Sequence, residues 1–337
     1  MATPSTAVTR YELSMSYAEF SLLANRRGYI GLRAAPPIAV ALQAAKFLRI
    51  NVESLLGKIE DTLRAPKAAY KRDDFEWTED QYATEDHGVE EPLDDRILKI
   101  YGDILRAEQI HTQRAINRLL QAYEQSVASA LFDTGMWTGA ALTTAVSTPW
   151  STLDTSTPIT DVDNAIEKVK ASCGMRPNAL IVSDYALRKL KRTSQVQDLL
   201  KYSGQDDPKN LATISALQEL FQLEQILVGD GFKNTSDPGQ TASFARLWDT
   251  TMAMVARVAT DTGLTADLED PEPCVARTIM WSDENAPLPG ADDTAPGVII
   301  EEYRDELHRG GVIRARNDRV VKVVHVEAGY LLTNVTS

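Results

Sequence analysis

The sequence predicts an α+β fold hung on one very long helix, and three observations predict it. An opening segment carries scattered apolar residues but no sustained period. A block follows in which basic and then acidic side chains are sorted end to end. Then comes an apolar stripe of helical spacing sustained over residues 93–131. With 337 residues, 43% hydrophobic and 25% charged, Gly 18 and Pro 15, the composition is that of a globular protein of about two domains and excludes collagen-like or wholly disordered chains.

In chain order, residues up to about 49 read as an extended arm, because Pro36 and Pro37 interrupt them and no period lets them form a core alone. In residues 56–95, Lys58, Arg64, Lys67, Lys71 and Arg72 precede an acidic run from Asp73 to Asp95 that contains no Lys or Arg. Such blocks describe either a solvated segment or a long hairpin whose basic limb folds back on the acidic limb, each opposed pair contributing roughly 0.2–1 kcal/mol. A two-stranded hairpin is marginal alone, so it has to lie on another surface, such as a neighbouring molecule.

Leu93, Ile97, Ile100, Ile104, Ile110, Leu119, Leu120, Tyr123, Val127 and Leu131 share one helical face. Pro92 suits the entrance, Asp94 and Asp95 suit the positive end of the dipole, and Gly135 follows the last turn. At 1.5 Å per residue this helix spans about 58 Å, far more than a globular helix needs. Residues 138–160, rich in Thr, Ser, Ala and Pro, read as a crossing. Beyond them, residues 161–172 and 211–221 and a segment capped by Ser183 read as helices. Strands are expected at 179–182, 225–228, in 244–258, and at 275–281, 298–303, 311–315, 320–326 and 329–332, with a loop at 282–297.

The net charge of −13 argues against a protein that wraps nucleic acid, and it is unevenly placed: residues 1–72 carry eleven basic and five acidic side chains, leaving −19 for the remainder. Cys173 and Cys274 are too few for a disulfide framework and read as inert buried thiols of a reducing cytosol. The first 30 residues lack the order of a signal peptide, and the most apolar run, residues 36–48, is shorter than a bilayer span and contains Lys46.

Motifs of catalysis are absent from the sequence: there is no GxGxxG, Walker loop, HExxH, CxxC or GxSxG. His87, His111, His308 and His325 lack ligand spacing. Gly229-Asp230-Gly231 reads as a turn, and the acidic stretches 267–272 and 283–293 read as solvated loops without cation-loop spacing. No catalytic, cofactor or metal site is expected.

Eight segments, taken in order, carry a resemblance: Pro36-Pro37 through Val40; Thr62-Leu63-Arg64-Ala65-Pro66; Gly88-Val89-Glu90-Glu91-Pro92-Leu93-Asp94-Asp95; Arg176-Pro177-Asn178-Ala179-Leu180; Tyr185 with Leu187 and Leu190; Val228-Gly229-Asp230; Leu247-Trp248; and Gly329-Tyr330. Together they resemble the major capsid proteins of tailed bacteriophages, whose coat-protein fold is named after phage Hong Kong ninety-seven. The resemblance implies an α+β phage capsid coat-protein fold. Its parts are an N-terminal arm at 1–55, an extended β-hairpin loop at 56–92, a peripheral domain with the spine helix at 93–153, completed by C-terminal strands at 298–337, and a mixed α/β axial domain at 154–297.

The function it implies is self-assembly, through pentamers and hexamers, into the icosahedral shell around a double-stranded DNA genome. The partners are then further copies of the chain, scaffolding, portal and decoration proteins, and packaged DNA as a non-specific contact, with no membrane and no cofactor. The place is the virion capsid, assembled in the host cytoplasm. Subunit-interface residues are expected at Lys58, Arg64, Lys67, Lys71, Arg72, Glu76, Glu79, Asp80, Glu85, Glu90 and Glu91, and lumen- or DNA-facing residues at Arg26, Arg27 and Arg33. Some relatives cross-link covalently through a lysine of the extended loop, an activity no motif here carries over. Others begin with a cleaved scaffold-like segment, which this sequence lacks, so a separate scaffold or none is expected. Two other readings stand beside this one: an encapsulin-like compartment and a cytoplasmic two-domain enzyme.

Overall fold

A computed structural model describes residues 25–50, 63, 64, 66, 69, 70, 76–96, 98, 99, 107–202, 213–237, 239–260, 273–281, 297–306 and 309–336. Strands β1 (Pro37–Val40), β11 (Ala276–Trp281), β13 (Gly310–Val323), β12 (Ile299–Asp305) and β4 (Glu85–Asp94) make one sheet. Within it β11, β12 and β4 all run antiparallel to β13, while β1 joins β11 in parallel. A second sheet has the order β5 (Thr143–Ala145), β14 (Gly329–Thr333), β10 (Ala253–Ala256), β6 (Ala179–Ser183), β7 (Gln225–Gly229). Two ribbons complete the strands: β2 (Ala44–Ile50) with β3 (Trp77–Ala83), and β8 (Phe232–Asn234) with β9 (Phe244–Arg246).

The helices are α1 (Gly31–Ala34), α2 (Ala107–Leu131), α3 (Pro158–Cys173), α4 (Asp184–Leu190), α5 (Ser194–Tyr202) and α6 (Ile214–Phe221). Local chemistry sets their limits. Pro158 opens α3 and Gly174, at φ 70°, closes it in the left-handed region that glycine tolerates. The Ser183 hydroxyl accepts from Ala186 N and caps α4, and Thr213 does the same for α6 through Ala216 N. The central strand β6 reads Ala-Leu-Ile-Val-Ser and is buried throughout, as a strand covered on both faces requires. Both cysteines are buried, and burial raises the Cys173 thiol above its ordinary range, consistent with an unreactive thiol.

The long helix is real but starts later than its stripe predicts. Leu93 and Asp94 end β4, paired with Gly311 and Gly310, and residues 95, 96, 98 and 99 are helical, while 97 and 100–106 lie outside the described residues. Pro92 sits opposite Val312 in β4, which has β13 as its one partner among the described residues, and such a strand tolerates a residue without an N–H. Asp94 serves the helix from the strand side, its carboxylate accepting from Arg96 N at 2.6 Å.

Along α2, Ala115 and Leu119 pack with Ala315 of β13, whereas Tyr123, Val127, Ala128 and Leu131 enter the main core with the second sheet. One helix therefore serves both sheets. Two further expectations change. Residues 311–315 and 320–326 are not two strands, since β13 runs unbroken from Gly310 to Val323 and yields to a 3-10 turn at Val326–Ala328. Pairing also crosses the expected division of the chain: β11, from the 154–297 stretch, joins β1 and β13, and β14, from the C-terminal stretch, joins β5 and β10.

Of the expected arm, the described residues from 25 onward are integrated into their own subunit. Ile30 is 4% exposed and Ala34 and Ala35 are fully covered. The anchor is Glu124 of α2, 1% exposed, whose carboxylate accepts from Ile30 N and Gly31 N, each at 2.7 Å, and from Trp248 Nε1 at 2.6 Å. A Cβ on Gly31 would lie 2.6 Å from that carboxylate, so a larger residue there would have to displace the Glu124 side chain from its bonds. The neighbouring Tyr123 hydroxyl donates to Ala35 O at 3.2 Å and lies 2.8 Å from Thr278 Oγ1 of β11.

Leu119 is 1% exposed in the small cluster that joins α2 to β13. Leu119→Asp should cost at least about 3 kcal/mol, through lost apolar contacts and an unpaired buried carboxylate, and abolish the cooperative thermal transition of soluble protein. A wild-type melting curve would refute the burial.

Candidate assembly surfaces

The clearest surface made for something outside the subunit is the β2–β3 ribbon. Its register sets Lys46 opposite Gln81 and Leu48 opposite Glu79. Side chains alternate across a strand, so Lys46, Leu48, Trp77, Glu79 and Gln81 share one exposed face, and Phe47, Arg49, Asp80 and Tyr82 share the other. The second face looks at the body of the subunit. Lys322 Nζ of β13 pairs with Asp80 Oδ1 at 2.9 Å, Arg49 Nη1 donates to Val324 O at 2.8 Å, and the Phe47 and Tyr82 rings lie 6.4 Å apart. Bonding to Lys322 holds the Asp80 carboxyl below its ordinary range against the opposing pull of desolvation. On the free face Lys46 and Glu79 pair at 2.9 Å, but Leu48 is 62% and Trp77 55% exposed. Two large apolar side chains more than half exposed on one face of a ribbon make that face a candidate interaction surface.

The hairpin predicted from charge sorting is thus built differently. Its second limb divides: residues 77–83 join the ribbon and 85–94 join the sheet as β4, with Thr84 buried at the junction and its N–H held by Gln43 O. The first limb of the ribbon is β2, a segment assigned to the arm. Lys58, Lys67, Lys71 and Arg72 lie outside the described residues. Arg64 stacks on the Tyr70 ring at 4.4 Å. Glu76 is exposed beside β3, and Glu85 is exposed opposite Arg319.

Glu90 and Glu91 are engaged inside the chain. Glu90 binds Arg314 at 2.7 Å, and Arg314 also reaches Glu301, which holds Arg316 at 2.9 Å. Asp95 pairs with Arg304 at 2.8 Å. The arginine bonds hold the Glu90, Asp95 and Glu301 carboxyls below their ordinary range. Glu91 points the other way, 4% exposed, and meets Arg118 at 2.9 Å, Arg114 at 3.6 Å and His111 at 3.7 Å on α2. The Glu91 charge is thus matched within its own subunit.

The three arginines expected to face DNA are not brought together as one patch. Arg26 is half-buried and donates to Gln113 O at 2.9 Å, Arg33 reaches Gln225 Oε1 at 3.3 Å, and Arg27 is exposed. Among the described residues no helix is long and apolar enough to cross a membrane, and no group of three His, Cys, Asp or Glu residues is placed to hold a metal ion. Sequence reading missed Lys46, Leu48, Arg49 and Trp77. The segment 44–50, Ala-Ala-Lys-Phe-Leu-Arg-Ile, has no apolar–polar alternation that could have found them.

Arg319 is 1% exposed, stacked over the Tyr123 ring at 5.0 Å and bonded to Asn317 Oδ1 at 3.0 Å, and burial pulls its guanidinium down to about 10. Its charge helps to hold His87 below the ordinary histidine range, after burial, and burial followed by the charge of Arg49 does the same for His325.

The ribbon contacts predict that Arg49→Met with Lys322→Met leaves the global melting temperature within a few degrees of wild type while limited proteolysis cuts the ribbon faster. An unchanged cleavage rate would mean that these contacts do not hold it. The histidines predict a pH effect. A folded value below the unfolded one means stability that is complete above about pH 6.5 and is lost as pH falls through the folded values. Glu124, raised by burial, acts in the opposite sense at lower pH. The drop in melting temperature from pH 7.5 to 5.5 should therefore shrink in His325→Gln, and an equal drop would exonerate that side chain.

No protein-family model matches the chain. It is 26% identical over 203 residues to the major capsid protein of Burkholderia phage BcepMu, a match covering 60% of this chain and 64% of that protein, just under two thirds of its length. It is 24% identical over 217 residues to the major capsid protein of Pseudomonas phage JBD67, covering 63% and 67%. Among solved structures it is similar to a phage-related protein of Bordetella bronchiseptica RB50, with TM-score 0.63, 20% identity and coverage of 93% and 96%. The capsid of cyanophage P-SCSP1u follows with TM-score 0.57, 10% identity and coverage of 100% and 93%. A holo-encapsulin complex of Synechococcus elongatus has TM-score 0.51 at 10% identity, covering 95% and 92%. The fold is the coat-protein fold of tailed-phage capsids.

Proposed function

We propose that this chain is a major capsid protein, the subunit that assembles with copies of itself, through pentamers and hexamers, into the icosahedral shell of a tailed phage around its double-stranded DNA. The observation that carries the reading is the pairing of that coat fold with a ribbon face on which Leu48 is 62% and Trp77 55% exposed. Both capsid relatives support it at 26% and 24% identity, whereas the likeness to an encapsulin is one of fold at 10%. The encapsulin reading is therefore the weaker.

The mechanism is association. Each copy offers several modest surfaces, and once one engages the rest become effectively intramolecular, so a closed shell is strong while single contacts stay reversible. In this reading residues 1–55 form the arm, 56–92 the extended loop, 93–153 with 298–337 the peripheral domain, and 154–297 the axial domain, with β11 and β14 exchanged across that division. Lys58, Arg64, Lys67, Lys71, Arg72, Glu76, Glu79, Asp80 and Glu85 lie at or near the loop that meets neighbouring subunits, and Arg26, Arg27 and Arg33 lie toward the lumen. The acidic remainder, facing the lumen, would repel DNA and let it slide during filling. Scaffolding, portal and decoration proteins are the further partners, assembly takes place in the host cytoplasm, and the subunit has no catalytic duty.

Leu48→Asp with Trp77→Ser should leave the subunit folded, since exposed substitutions usually shift stability by no more than about 0.5 kcal/mol, yet prevent closed shells in negative-stain micrographs. Normal shells from this variant would remove the ribbon from the assembly. A wild-type protein that stays a compact monomer in micrographs and on sizing columns would end the capsid reading altogether.

A further inference from the structure

The β2–β3 ribbon is tied to its own subunit at two points along its length. Midway, Asp80 Oδ1 meets Lys322 Nζ at 2.9 Å, and further toward the end where Ile50 pairs with Trp77, Arg49 Nη1 donates to Val324 O at 2.8 Å. Leu48 precedes Arg49, and Trp77 precedes Thr78, the residue opposite Arg49. The second tie therefore holds the part of the ribbon that carries the exposed apolar side chains.

The peptide that accepts from Arg49 leads straight into His325. This residue is half-buried, and its N–H is directed to Val275 O at 3.4 Å beside the 2.9 Å bond from Val324 N, so one short stretch of backbone seats both the arginine and the imidazole. Two charges act on the ring: Arg49 from β2 and, in the opposite sense, Glu327, exposed on the 3-10 turn. Around them, Lys322 of β13 and Asp80 of β3 are paired with each other, and the stretch entering β11 brings Cys274 and Arg277, both buried.

We infer that His325 is a proton-operated latch on the ribbon: protonation of its ring sets a second cation against Arg49, breaks the tie to Val324 O and frees the end that carries Leu48 and Trp77, while the tie between Asp80 and Lys322 stays closed as a pivot. Burial first and the charge of Arg49 second hold the seated His325 below the ordinary histidine range. The seated ribbon thus favours the neutral ring, and by the same coupling the charged ring disfavours the seated ribbon. Once that end swings away, the ring regains water and loses the arginine, and its proton affinity rises toward the ordinary value of about 6.5. Acid therefore favours release, by at most about tenfold in the released-to-seated ratio per pH unit, since one proton is bound. Asp80, held below the ordinary carboxylate range, keeps its charge and its bond through this window. Release is a property of the single subunit; its consequence for shells, an apolar face whose presentation depends on pH, rests on the capsid reading.

Distances between two spin labels test the latch. Labels on Glu79→Cys, exposed near the freed end, and on Glu302→Cys, exposed on β12, are placed in the full-length chain, which is diluted into an excess of unlabelled protein so that each distance is read within one subunit. Cys173 and Cys274 are buried. The distribution should be narrow at pH 7.5 and gain a broad second component as pH falls to 5.5, with circular dichroism unchanged. His325→Gln should stay narrow at both values, and Arg49→Met should be broad at both. Glu327→Gln, by removing the charge that eases protonation, should move the midpoint to lower pH, and it decides the matter if His325→Gln fails to fold. A wild-type distribution unchanged by pH, a broadening equally strong in His325→Gln, one abolished by His87→Gln, a narrow Arg49→Met or an unshifted Glu327→Gln would each overturn the latch, and none of these outcomes bears on whether the chain builds shells.

Discussion

A carboxylate buried without a cation is the constraint on which the subunit's organisation depends. Glu124 is raised in pKa by desolvation first, and the bonds from Ile30, Gly31 and Trp248 oppose that rise. Three N–H donors, two from the adjacent residues Ile30 and Gly31 and one from the distant Trp248, replace its water. Two of them lie at the start of a short helical turn, where free N–H groups favour negative charge, so the sequence-remote segment at 30–35 is drawn to the middle of α2. Trp248 then ties the same carboxylate to the segment that leads into β10 of the second sheet. Loss of any one donor leaves a buried charge short of a partner, a penalty of a few kcal/mol, so the three segments are fixed together or not at all.

Around this anchor, charge is used in two distinct ways. Buried or half-buried ions such as Glu91 and Arg319 are matched to groups of their own chain and set internal geometry. Exposed pairs such as Lys46–Glu79 and Arg304–Asp95 contribute little to stability singly, because water screens them and long side chains lose freedom in forming them. Their consequence is solubility and orientation. In the proposed shell, the energy that holds copies together would reside mainly in apolar area, of which the exposed Leu48 and Trp77 on the ribbon are an instance.

Much of the fold was legible in the sequence where local rules operate. The cap Ser183, the stop at Gly174, the buried run at 179–182 and the stripe along α2 each depend on a few neighbouring residues, whereas the Thr213 cap, inside a helix expected from residue 211, was not read. Pairing partners were not legible. The acidic limb invited a match with the basic residues just before it, yet Glu90 finds its cation at Arg314, 224 positions away, and Asp80 finds Lys322, 242 positions away. Alternation specifies which side of a strand is wet and says nothing of which strand lies beside it. The seating of residues 30–35 was illegible for the same reason, since a segment with no period of its own can still be captured by one buried carboxylate elsewhere.

The ribbon shows how an internal contact decides which face of a strand pair is exposed. A strand has a side-chain period of two, so a slip of β2–β3 by one residue relative to the body would turn Phe47, Arg49 and Asp80 outward and bring Leu48 and Trp77 in. A bare two-stranded ribbon has no core to forbid that slip. What forbids it here is the pair of polar contacts to the body, Asp80 with Lys322 and Arg49 with Val324 O, because both would be lost together on inversion. The face that the ribbon presents to solvent is thus selected by two bonds on its opposite side.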